Sequence, residues 1–109
     1  MNNCLKFIHF NNISINASEI VSIEKYEGDD DFDEGNDPTY YVSIFFKLKN
    51  RRRIEVGYTD WEYDTNLENW KKYINTKKEM RNDLYEKIKE FLGSNDSDFT
   101  VNAEYERGY

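Results

Sequence analysis

From Thr39 to Tyr58 the apolar side chains recur at nearly every second position; after Thr59 the interval lengthens to that of a helix. A chain that changes hydrophobic period in this way is expected to build a sheet and lay a helix across it. The strongest strand signal is Thr39 to Lys49, TYYVSIFFKLK. Tyr40, Val42, Ile44 and Phe46 share one face, with Tyr41, Phe45 and Leu48 departing from it, which predicts a central strand buried on much of both faces. Asn50-Arg51-Arg52 turns the chain into Arg53 to Tyr58, where Ile54, Val56 and Tyr58 alternate with polar residues. Upstream, Leu5 to Phe10 reads as a short strand. Asn11-Asn12 reads as a turn, because asparagine tolerates positive φ. Ile13 to Tyr26 reads as a strand that bends, bulges or turns tightly around Asn16.

Thr65 and Glu68 form a capping box, so a helix is expected to begin near Asn66. Leu67, Trp70, Tyr73 and Ile74, then Leu84, Ile88, Phe91 and Leu92, recur at helical spacing, and Gly93 supplies a stop. The polar stretch between them holds a second capping box, Thr76 and Glu79, so one long helix or two consecutive helices fit the pattern, with a slight preference for two. Phe99, Val101, Ala103 and Tyr105 then alternate, and residues 94–109 read as a short edge strand or a partly ordered tail. The expected fold class is α+β. It is a single domain over residues 1–109, an antiparallel sheet of four to five strands with a C-terminal amphipathic helical segment packed on one face. In outline this order is similar to small pleckstrin-homology-like domains, a plan common enough that no family follows from it.

At 109 residues there is room for one modest core. Hydrophobic residues make up only 38%, but aromatics reach 17%, and a few large rings can fill a small interior. No apolar run approaches the roughly 20 residues that span a bilayer, and the N-terminus lacks the pattern of a secretory signal. Cys4 is the lone cysteine, so a reducing, cytoplasmic setting is expected.

Charge is the other constraint. The chain has 22 acidic and 15 basic residues, a net charge of -7. Seven of the carboxylates fall between Glu27 and Asp37, EGDDDFDEGND, with no basic residue among them, and the remainder of the chain is balanced. Residues 27–38 therefore read as an acidic loop between two strands. An EF-hand counted from Asp29 would need glycine at its sixth position and glutamate at its twelfth. Those positions hold Glu34 and Tyr40, so no calcium loop, and no metal site, is expected.

Phe32 lies inside the acidic run and Tyr40 just after it, so long-range attraction and aromatic anchoring are combined. Asp60-Trp61-Glu62-Tyr63-Asp64 repeats that recipe before the helix. Arg51-Arg52-Arg53 is the basic cluster, and its arginines could lie near the acidic loop and neutralise part of it. The helix residues Lys71, Lys72, Lys77, Lys78 and Arg81 interleave with acids and read as a solvated face of mixed sign. His9 and Cys4 stand apart from any nucleophile or base pattern, and there is no CxxC, HExxH, GxSxG or phosphate-binding glycine loop, so no catalytic residue and no cofactor is expected.

These features favour a small acidic non-enzymatic interaction protein that binds a basic protein surface. The candidate contacts are Asp29, Asp30, Asp31, Phe32, Asp33, Glu34, Tyr40, Trp61 and Tyr63. One concrete form is a phage or mobile-element inhibitor, of the anti-CRISPR or other anti-defence type, that blocks a nucleic-acid-binding channel by presenting carboxylates where phosphates would lie. The alternative is a structural or adaptor subunit, self-associating through a sheet edge or the helix, whose acidic loop is only solvated. Neither reading involves a membrane or bulk nucleic-acid binding by the chain itself.

Overall fold

The computed structural model describes residues 5–30, 39–60 and 67–108. Two sheets and one helix form an α+β fold. The elements run β1 (Phe7–His9), β2 (Ser14–Asn16), a 3-10 turn (Ala17–Glu19), β3 (Ile20–Asp30), β4 (Thr39–Leu48), β5 (Arg53–Asp60), α1 (Leu67–Leu92), β6 (Asp98–Thr100) and β7 (Tyr105–Gly108). The larger sheet is antiparallel in the order β3-β4-β5-β7. The smaller has the order β2-β1-β6, with β1 antiparallel to β2 and parallel to β6.

Of the alternatives around Asn16, the structure has the tight turn, a 3-10 turn over Ala17–Glu19 at which the chain changes sheets. The Asn16 side chain accepts a hydrogen bond from the Ser18 amide at 2.9 Å and so caps the 3-10 turn that separates β2 from β3. The β1–β2 hairpin closes with Phe10 N donating to the Ile13 carbonyl at 2.7 Å. Neither asparagine of its turn takes a positive φ; among the described non-glycine residues only Arg51 does, at 67°. Instead Glu106 of β7 satisfies the turn, accepting from Asn11 N at 2.8 Å and Asn12 N at 3.3 Å, which ties the small sheet to the large one.

The second hairpin uses a three-residue connection. Arg51 N donates to Leu48 O at 3.1 Å and Leu48 N to Arg52 O at 2.9 Å, with Arg51 at the left-handed position that such loops require. β4 is central, as its composition predicts. Val42, Ile44, Phe46 and Leu48 are all buried on one face, so Leu48 keeps the phase of that face rather than departing from it.

The helix is a single α1 in mid-chain, not a C-terminal segment and not two helices. The proposed break fails because the Thr76 hydroxyl donates to the Lys72 carbonyl at 3.1 Å, one turn back, and so is not capping a new helix. Thr65, the capping residue of the expected Thr65–Glu68 box, lies outside the described residues. At the other end Gly93 N donates to Lys89 O at 3.2 Å. Lys6 then places its ammonium on the carbonyls of Phe91, Ser94 and Asp96, a cation where the helix dipole favours one. α1 packs on β4 and β5, and its buried stripe is Ile74, Arg81, Leu84, Ile88 and Phe91. Residues after the helix return to the protein: Phe99 packs on Phe91 with ring centroids 5.4 Å apart, Val101 is buried, β6 extends the small sheet and β7 the large one. One core joins the layers, from Ile8, Phe10 and Ile15 through Ile44, Phe46, Ile54 and Val56 to Leu84, Ile88 and Phe91.

Candidate functional site

Strand register decides where the acidic run begins. β3 continues through Asp30, so Glu27, Gly28, Asp29 and Asp30 are paired strand residues, opposite Val42, Tyr41, Tyr40 and Thr39. Across the other side of β4, Tyr40 is paired with Asp60 and Tyr41 with Thr59. Asp29, Tyr40 and Asp60 therefore form one row across three strands at one end of the large sheet. β3 ends at Asp30 and β5 at Asp60, both at that end of the sheet, so the two carboxylate-and-aromatic segments of the sequence, 27–37 and 60–64, have their described residues there. Of the sequence-predicted contacts, Asp29 and Tyr40 lie in this row and Asp30 pairs with Thr39 beside it; Asp31, Phe32, Asp33, Glu34, Trp61 and Tyr63 lie outside the described residues.

The base of the acidic run is fastened to the helix by a residue that composition alone does not single out. Arg81 is 6% exposed and occupies the apolar stripe of α1, not a solvated face. Its Nη1 donates to the Tyr26 carbonyl at 3.0 Å, its Nη2 to Glu27 Oε2 at 3.1 Å and its Nε to Asn82 Oδ1 at 2.8 Å. Lys78 adds a looser contact to Glu27 at 3.7 Å. The first carboxylate of the run is thus tied to the helix at the domain surface. The helical spacing Ile74, Arg81, Leu84, Ile88 contains the signal for this, because Arg81 keeps the phase of the core stripe.

The arginine turn is remote from the described end of the acidic run. Arg51, Arg52 and Arg53 follow the last residue of β4, whereas Asp29 and Asp30 pair with its first two, so these residues stand at opposite ends of one strand, roughly 25–30 Å apart. The molecule is electrically polar along its sheet.

On the sheet face away from the helix, rings and charges interleave. Tyr26 and Phe45 meet edge to face at 5.6 Å, and Tyr41 and Tyr105 at 5.5 Å. Arg107 lies over both Tyr41 and Tyr105 and donates to the Tyr41 hydroxyl at 2.8 Å. Glu55, 4% exposed, accepts from the Tyr105 hydroxyl at 2.6 Å. Burial, together with that hydrogen bond, pushes the Tyr105 phenol far above its ordinary value. This knot of side chains anchors β7 to β5 and so supports Glu106, which holds the β1–β2 turn.

A third array, unforeseen from sequence, lies on the small sheet. His9 Nδ1 is 2.7 Å from Ser14 Oγ and its Nε2 is 2.7 Å from Asp98 Oδ1, one contact from each neighbouring strand. Hydrogen bonds from His9 and Ser97 hold the Asp98 carboxyl below the usual carboxylate range. The array joins residues 89 apart in the chain, which is why no sequence spacing could reveal it. A cavity of about 340 Å³ is lined by Tyr58, Met80, Leu84, Lys87, Phe99 and Asn102 among others, and none of the His9 array lines it. Among the described residues no group of three or more His, Cys, Asp or Glu could hold a metal ion, and no helix is long and apolar enough to cross a membrane.

No family model matches the chain, and neither curated proteins nor solved structures include one similar to it.

Proposed function

We propose that the protein is a small, non-enzymatic interaction protein that binds a basic protein surface with the acidic end of its large sheet. The concrete form is an inhibitor, of phage or mobile-element type, that fills a nucleic-acid-binding channel with carboxylates in place of phosphates. The observation that carries this reading is the row Asp29–Tyr40–Asp60, in which both carboxylate-and-aromatic segments have described residues. Carboxylates that begin together at one end of a sheet favour a field of one sign there, and charge so focused steers a cationic partner. Aromatic side chains within the same segments supply the short-range contact that charge alone lacks.

The test is capture of nucleic-acid-handling proteins by the full chain at low salt, followed by competition with the captured protein's own nucleic acid. Binding is expected to weaken steeply with salt, and nucleic acid and this chain are expected to exclude each other. Substituting Asp29, Asp30, Asp31, Asp33 and Glu34 together by Asn or Ser should abolish it. Retention of full binding by that variant would overturn the reading.

A further inference from the structure

We propose that two copies of the chain associate edge to edge through β3, antiparallel about a two-fold axis at Tyr26. β3 is the outer strand of its sheet and runs for 11 residues, about twice the usual strand length. Two backbone bonds fix the phase of the sheet: Leu48 N to Arg52 O, and Glu104 N to Gly57 O. With the observed register they direct even-numbered β4 residues toward β5 and odd-numbered ones toward β3. Ser22, Glu24, Tyr26 and Gly28 consequently direct their backbone groups toward β4, the Tyr26 carbonyl also accepting from Arg81. Ile23, Lys25, Glu27 and Asp29 point theirs off the free edge, and no described residue bonds to those of Ile23, Lys25 or Glu27. A long open edge of this kind pairs with another strand unless something blocks it. Its exposed apolar residues, Val21 at 64% and Tyr26 at 48%, add surface that pairing would cover.

The second copy is the occupant that the charges specify. Only odd-numbered residues can exchange bonds across two such edges, which limits where the axis can fall. An axis at Lys25 sets two ammonium groups opposite one another. An axis at Glu24 gives the same overlap as one at Tyr26 but sets Lys25 against Ile23, leaving the ammonium without an opposite charge across the edge. An axis at Tyr26 sets Lys25 of each copy against Glu27 of the other and brings the two Tyr26 residues face to face across a non-hydrogen-bonded position.

Antiparallel pairing also opposes the two charge gradients. The acidic end of one copy comes beside the end of the other that carries Lys47, Lys49 and Arg51–Arg53. That neighbour is about two strand spacings away, ~10 Å, close to one Debye length at 0.1 M salt. The two Asp30 positions are held about 26 Å apart, where salt screens their repulsion. This surface is the strand edge and not the acidic tip, so its failure would leave the proposed function standing.

Sedimentation equilibrium of the full chain tests the inference, with twice the chain mass expected at micromolar concentration. Lys25→Pro removes an outward amide that β4 does not use, and Lys25→Glu sets like charges opposite each other. Both are expected to remain folded by circular dichroism and to weaken association at least tenfold. In a Cys4→Ser background, Tyr26→Cys should form an intermolecular disulfide under mild oxidant. Glu24→Cys should not, its two positions lying about 13 Å apart. A monomeric mass at every concentration would overturn the inference. So would association unaffected by both Lys25 variants, or equal cross-linking at residues 24 and 26.

Discussion

Replacing Arg81 tests how the acidic hairpin is held to the domain. Arg81→Ala removes three main contributions of different size, besides the bond to its neighbour Asn82. The bond from a buried guanidinium to the Tyr26 carbonyl is worth about 1.5 kcal/mol. The ion pair with Glu27 is worth less, because Glu27 is 41% exposed and water screens it; about 0.5 kcal/mol is appropriate. The aliphatic stem packed in the helix stripe adds about 1 kcal/mol beyond what alanine retains. The expected loss is therefore about 3 kcal/mol. Arg81→Lys keeps charge and most of the stem but cannot fork to both acceptors, so about 1.5 kcal/mol is expected. Glu27→Gln removes only the screened pair and should cost about 0.5 kcal/mol. Equilibrium urea unfolding at a common slope measures all three. Amide exchange along β3 should accelerate in the same order. If Glu27→Gln costs as much as Arg81→Ala, or if Arg81→Ala costs under about 1 kcal/mol, the guanidinium is not the fastening described here.

Other substitutions probe separate parts of the argument. A Cβ at Gly57 would fall 2.7 Å from the Ser43 Cα and against the Val42 carbonyl, so Gly57→Ala should cost more than about 3 kcal/mol or abolish folding, read by thermal melting. Arg51→Gly should stabilise by about 0.5–1 kcal/mol in urea unfolding, since relief of the left-handed strain exceeds the extra chain entropy of glycine. Tyr105 has a folded-state pKa above its unfolded value near 10, so the folded protein holds that proton more tightly. Its contribution is complete below pH 10 and declines as pH rises above it; the urea midpoint should fall there, and Tyr105→Phe should flatten that fall. Asp98 has the opposite sign: its depressed pKa supports stability above the ordinary carboxylate range and is lost on acidification, an effect that His9→Ala should diminish.

What could be read from the sequence was local. Alternation in β4 and β5 announced the sheet, since a half-buried pleat imposes its period directly on side-chain type. The helix was legible from Leu84 to Leu92, but its continuity was not, because a capping-box pattern at Thr76 and a back-bonded threonine use the same letters. After α1 the residues read as a short edge strand or a tail, and the structure has the edge strands β6 and β7 there. Phe99 and Val101 signal burial, yet nothing local states that β6 will join β1 in parallel at the far end of the chain. Arg81 was the costliest omission: charge suggested solvent, while its place in the helical stripe pointed inward. At the acidic end, residue type identified the segments, and only strand register could bring Asp29, Tyr40 and Asp60 into one row.

The parallel pairing of β1 with β6 also sets a schedule for folding. Phe7 pairs with Asp98 and His9 with Thr100, so the first strand cannot complete its pairing until the chain beyond the helix has been synthesised. The β3–β4–β5 meander needs only near neighbours and can close early, because short loops cost little entropy to form. β1 and β2 can pair with each other and Phe10 can meet Phe46 earlier, but the small sheet is complete only when β6 arrives. Completion of the small sheet is then the late step of folding, and a chain lacking residues 98–108 would carry a formed meander with one edge of β1 still seeking a partner.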